Sequence, residues 1–128
     1  MIRERALKVV LVVVGLLLSG GIYLLVKSLS QPMEPELELG QMFLSIYITL
    51  GIFLLLAVRN PSANRSLIAF AGWSSLAHAA VMAVQAVYLA HERTHLVTGT
   101  IVFGLMGVAL VALAPTKQSG ERASAASA

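Results

Sequence analysis

The chain contains no cysteine. Disulfides, thiolate metal sites and thiol chemistry are therefore excluded. Charge is also scarce: 12% of the 128 residues are Asp, Glu, Lys or Arg, where a soluble domain carries about a quarter. Aromatic residues make up 6%, and the basic residues are spread thinly over several segments. No basic cluster or aromatic platform is present, so the net charge of +3 is not a nucleic-acid signal.

What remains is apolar. Four stretches, 7–26, 39–58, 67–90 and 96–114, contain one charged residue among them, Lys8 at the edge of the first. The hydrocarbon core of a bilayer is about 30 Å thick and takes roughly 20 helical residues. Each stretch can cross once, and none can cross twice. A soluble bundle would alternate apolar and polar faces, whereas Phe43–Val58 offers only Ser45, Tyr47, Thr49 and Gly51 as relief. A transmembrane barrel needs at least eight alternating strands of about 10 residues, and the chain is too short for that. Backbone groups in lipid must be satisfied within their own segment, which leaves helices. The expected fold is all-α: an up-and-down bundle of four membrane spans over 1–115, followed by a disordered tail over 116–128 that is rich in Ser, Ala and Gly.

Arg3, Arg5 and Lys8 before an apolar run resemble the start of a signal peptide. The run Val9–Val26 is longer than an h-region of about 7–15 residues, and Ser28-Leu29-Ser30 is followed by Gln31-Pro32 rather than a cleavage signature. It reads as an uncleaved first span. Lys and Arg counts orient the chain. The N-terminus, the 59–66 loop and the tail hold Arg3, Arg5, Lys8, Arg59, Arg65, Lys117 and Arg122, leaving only Lys27 and Arg93 of the nine basic residues on the other side. Both termini are expected in the cytoplasm. Four of the six acids, Glu34, Glu36, Glu38 and Glu92, fall outside. The first loop, Ser28–Glu38, carries Pro32 and Pro35, which disfavour helix in the residues before them. In the second loop Asn60 suits an N-cap and Pro61 the first helical position. Arg59 and Arg65 can reach lipid headgroups.

Polar side chains inside a bilayer turn away from lipid. In the third span Ser74, His78, Gln85 and Glu92 follow one another by steps of four and seven, which keeps them on one side of a helix. In the second span Gln41, Ser45 and Thr49 recur every four residues. Gln41 and Gln85 both lie roughly 10–11 Å from the midplane, with Tyr23 and Thr98 at similar depth. The expectation is an interior layer of Tyr23, Gln41, Gln85 and Thr98 above His78. One reading makes it packing, with Ser, Thr, Gln and His bonding between helices and Gly20, Gly21, Gly72, Ala79, Ala83, Gly104 and Gly107 allowing close approach. The other makes it an outward-facing pocket for a small hydrophobic ligand, lined by His78, Gln85, Gln41, Thr49, Tyr23 and Ser74.

His91-Glu92-Arg93-Thr94-His95 fits the H-E-x-x-H pattern, in which two histidines one helical turn apart bind zinc and the glutamate acts as base. That chemistry needs a helix through the motif. The match falls in the shortest loop, where the chain must reverse, and a reversal splays His91 from His95. If the third helix runs a turn further, Glu34, Glu36 or Glu38 could supply a third ligand. A metal-binding protein or metal-dependent enzyme is the alternative to a non-enzymatic accessory subunit or ligand binder. No cofactor is implied. A transporter would need an oligomer and charged residues in the core, which are missing. The expected partners are the bilayer and a homo-oligomer or larger membrane complex.

The segment Arg59-Asn60-Pro61-Ser62-Ala63-Asn64-Arg65-Ser66-Leu67-Ile68-Ala69-Phe70 and its continuation Trp73–Ala86 resemble a family of small bacterial four-span proteins of unknown function. More loosely, the layout is similar to DoxX-like membrane proteins. The first resemblance implies a bacterial inner-membrane protein and carries no activity, cofactor or catalytic residue with it.

Overall fold

A computed structural model describes residues 2–31, 35–116 and 126, without the side chains of 35–37. The chain forms helices α1 (Ile2–Ser19), α2 (Gly21–Leu29), α3 (Pro35–Ala57), α4 (Arg65–Tyr88) and α5 (Arg93–Leu113). No strand occurs among the described residues. Helices α1 and α2 form one apolar run, Ile2–Leu29, interrupted at Gly20. There the N–H of Tyr23 donates to the Gly20 carbonyl at 3.3 Å, a three-residue step in place of four. Gly20 keeps a right-handed conformation, φ −60 and ψ −20, so the chain does not reverse. Two consecutive glycines are a usual cause of such a break.

With that run counted once, four helical segments among the described residues are long and apolar enough to cross a membrane. That length and composition suggest a multi-pass membrane protein. Its helices overrun the apolar stretches, most at their N-terminal ends. Hydrogen bonding does not stop where composition changes, so Arg3, Glu4, Glu38 and Arg65 are all helical. Pro35 opens α3, the position where its missing N–H is harmless. The expected tail over 116–128 lies almost wholly outside the described residues.

The start of α4 differs from expectation. The helix begins at Arg65, not Pro61. Asn60 still caps, but it caps a single separate turn: its Oδ1 accepts the Ala63 N–H at 3.3 Å, and the Asn64 N–H donates to the Pro61 carbonyl at 3.1 Å. Asn64, at φ −106 and ψ 25, interrupts that turn before the α-helix proper.

The chain divides into two compact units, Lys8–Arg59 and Met1–Leu7 with Asn60–Ala128. In the first, a Cβ added to Gly15 would lie 2.7 Å from Leu55, one on Gly51 would meet Leu18 and Ser19 at 2.7–2.8 Å, and one on Gly21 would meet Leu44 at 2.9 Å. Residue numbers rise on one helix as they fall on the other, so this unit is an antiparallel hairpin. In the second unit Gly72 faces Val111, Leu76 faces Gly107 and Met82 faces Gly99, again antiparallel, with a turn over residues 89–92.

Each span hides a stripe at helical spacing, in steps of three, four or their sums: Leu7, Leu11, Val14 and Leu18 on α1; Gln41, Ile48, Gly51 and Leu54 on α3; Ile68, Ala71, Ser75, Ala79, Met82 and Ala86 on α4; Leu96, Met106 and Leu110 on α5. Leu11, Leu54, Ile68 and Leu110 are fully buried. The remaining faces expose Phe43, Ile46, Phe70, Trp73, Val84, Leu105 and other large apolar side chains. In water that surface would drive association; in a bilayer it is the natural exterior.

Candidate functional site

The stripe that α4 buries runs through Ser75, Ala79, Met82 and Ala86. It lies one residue on from the polar line of Ser74, His78, Gln85 and Glu92, and one residue turns a helix by about 100°. Ser74 and His78 are therefore half-buried at the edge of the interface, and Gln85 is exposed. The His78 ring packs against Phe103 of α5 with centroids 4.4 Å apart and planes tilted by 51°, a favoured aromatic geometry. Phe103 in turn packs on Met82, Ala86 and Leu96. Tyr23, Gln41 and Thr49 belong to the other unit. Tyr23 is 69% exposed and Gln41 only 9%; Thr49 is exposed.

Six hydroxyls of the spans are turned back onto their own helices. Ser45 donates to the Met42 carbonyl at 2.6 Å, Thr49 to Ser45 at 2.9 Å, Ser74 and Ser75 to Ala71 at 3.1 and 2.7 Å, Thr98 to Thr94 and Thr100 to Leu96 at 2.8 Å. This is the local bonding that Ser and Thr adopt inside helices. Periodicity places a hydroxyl on a face but does not set the rotamer that decides its acceptor. Two buried polar atoms have no hydrogen-bond partner among the described residues, Gln41 Nε2 and Ser19 Oγ.

The H-E-x-x-H match straddles a helix boundary. His91 lies in the turn, Glu92 is the N-cap of α5, and His95 is in its first turn. The continuous helix that would align both imidazoles on one zinc ion starts after His91. Among the described residues no group of three or more His, Asp or Glu could hold a metal ion. Of the acids considered as a third ligand, Glu34 and the Glu36 side chain fall outside the described residues. Arg59 is exposed in the turn after α3, and Arg65 is half-buried at the first position of α4.

Two other arginines act on helix ends, and sequence reading assigned them only to topology. The last carbonyls of a helix lack intrahelical partners and favour cations. Arg3 Nη2 donates to the carbonyls of Ala112 and Ala114 at 3.2 Å each, closing the end of α5 from more than 100 residues away in sequence. A cavity of about 210 Å³ lies beside it, lined by Glu4, Leu7, Pro61, Ser62 and Pro115 among others. No local signal marks such a long-range cap. Arg93 Nε donates to the Ala86 carbonyl at 3.0 Å, and the Leu89 N–H donates to Gln85 at 2.8 Å. Together these bonds close the last turn of α4. Arg93 thereby stays against the hairpin instead of extending from the turn.

Held there, Arg93 sits at an apolar groove of about 450 Å³ between α4 and α5. Ala83, Ala86 and Val87 line one side, and Val97, Thr100 and Ile101 the other. The groove exists because small residues of α4 leave room opposite the branched side chains of α5. Thr100 adds no unmet donor, since its hydroxyl is bonded to Leu96. Away from Arg93 the surface can therefore accept carbon chains without desolvating a polar side chain, and the one formal charge in the lining is the Arg93 guanidinium.

No curated protein and no solved structure matches the chain. Residues 4–127 match a family of unknown function, DUF6632, which covers nearly the whole sequence. The chain therefore belongs to DUF6632, as the loop and third-span resemblance implied.

Proposed function

We propose that this chain is a small protein of the bacterial inner membrane that works by binding a small hydrophobic ligand rather than by catalysing a reaction. Four helices long and apolar enough to cross a bilayer support the location. The concentration of Lys and Arg in the N-terminus, the 59–66 loop and the tail supports cytoplasmic termini. On that orientation the α4–α5 turn and Arg93 lie at the outer surface.

The groove between α4 and α5 carries the proposal. Binding sites for small molecules are concave and mostly apolar, with a few placed polar groups that fix orientation. This groove has that character, and it lies within a single tightly packed hairpin. Exposed Gln85 is the nearest polar neighbour along α4.

Native mass spectrometry of the full chain, extracted in mild detergent, tests the reading. We expect a molecule with an apolar chain retained at one copy per protein chain. Ala83→Leu, which fills the groove from an exposed position, should remove it while leaving helix content intact. Absence of any retained molecule, or retention unchanged by Ala83→Leu, would contradict the proposal.

A further inference from the structure

We infer that the ligand of the α4–α5 groove is a phospholipid, with its acyl chain along the groove and its phosphate on Arg93. The inference rests on the binding reading above and specifies its chemical class. The lining is carbon from Ala83, Val87, Val97 and Ile101, with the one cationic side chain in the lining at Arg93, where α5 begins. From Ile101 to Arg93 the groove follows eight residues of α5, roughly 12 Å of helix, so apolar surface and cation are separated along the axis as the tail and phosphate of a lipid are.

Arg93 is also held ready for an anion. A guanidinium has five N–H donors. The Nε bond to Ala86 uses one, and it is the only side-chain hydrogen bond of Arg93 among the described residues. No ion pair with adjacent Glu92 occurs among them either. The Nε bond fixes the plane of the guanidinium and leaves both terminal nitrogens for a bidentate contact, the geometry for which arginine suits phosphate. Being already ordered, the side chain loses little freedom on binding. The groups sharing its turn are His91, Glu92 and His95; of these only Glu92 opposes an anion.

The test uses the full chain in detergent, with phosphatidylglycerol and with diacylglycerol carrying the same acyl chains as probes. Binding is read by native mass spectrometry and by the shift in unfolding temperature. Phosphatidylglycerol should bind more tightly than diacylglycerol by about tenfold or more, the yield of a charge-assisted contact. Arg93→Gln should abolish that preference while leaving diacylglycerol binding in place. If both lipids bind equally and Arg93→Gln changes nothing, the phosphate assignment is overturned and the hydrophobic groove stands. If neither binds, both readings fail. Because Arg93 also caps α4, Arg93→Gln could unfold the hairpin; Ala83→Leu then decides. It should weaken phosphatidylglycerol binding with Arg93 intact, and unchanged binding would overturn the proposal. Dimers that Ala83→Leu dissociates and that lipid leaves unaffected would assign the groove to a second copy, and would overturn it as well.

Discussion

Gln41 shows how one residue divides packing from function. It occupies the buried stripe of α3, and its Nε2 has no hydrogen-bond partner among the described residues. A buried donor without a partner is unfavourable by about 1–3 kcal/mol. We expect Gln41→Leu to raise the unfolding temperature in detergent, by an amount corresponding to about 1 kcal/mol. A fall would mean that the amide is satisfied by something bound. His78 is the complementary case. Its midspan position was legible from counting, but its contact with Phe103 was not, because Phe103 stands 25 residues away on a helix whose rotation the sequence leaves open.

Among the elements, glycines mark where helices meet, and their roles differ sharply within one helix. A Cβ on Gly107 would lie 2.6 Å from Leu76 and 2.9 Å from the Gly72 carbonyl; on Gly104 it would meet only Ala79, at 4.0 Å. Gly107→Ala should destabilise the hairpin by about 1–3 kcal/mol, as overpacking does. Gly104→Ala should be neutral or slightly stabilising, since alanine is the better helix former by about 1 kcal/mol. Thermal unfolding of the two variants checks the contrast. Both glycines are alike in the sequence, as are Gly20, which interrupts a helix, and Gly21, which packs against Leu44. Helix number and approximate length were legible because long uncharged runs state them directly. The buried face was not, because these helices are apolar all round and periodicity has nothing to contrast. The few polar residues mark a face of α4 one position away from the buried one: Ser74 and His78 stand at its edge and Gln85 is exposed.

For the whole molecule, the cysteine-free sequence permits a direct test of orientation. Single cysteines at Ser62 and Thr116 should react with an impermeant thiol reagent only from the cytoplasmic side, and one at Thr94 only from outside. Labelling of all three from one face would contradict the topology, and if that face is the cytoplasmic one it would move Arg93 to the other leaflet.

The central claim is that the α4–α5 hairpin holds a hydrophobic ligand. An experimental structure of the full chain in lipid nanodiscs tests it most directly. Elongated non-protein density is expected along Ala83, Val87, Val97 and Ile101, ending at Arg93. A groove closed by its own side chains, or filled by a helix of another copy, would contradict it.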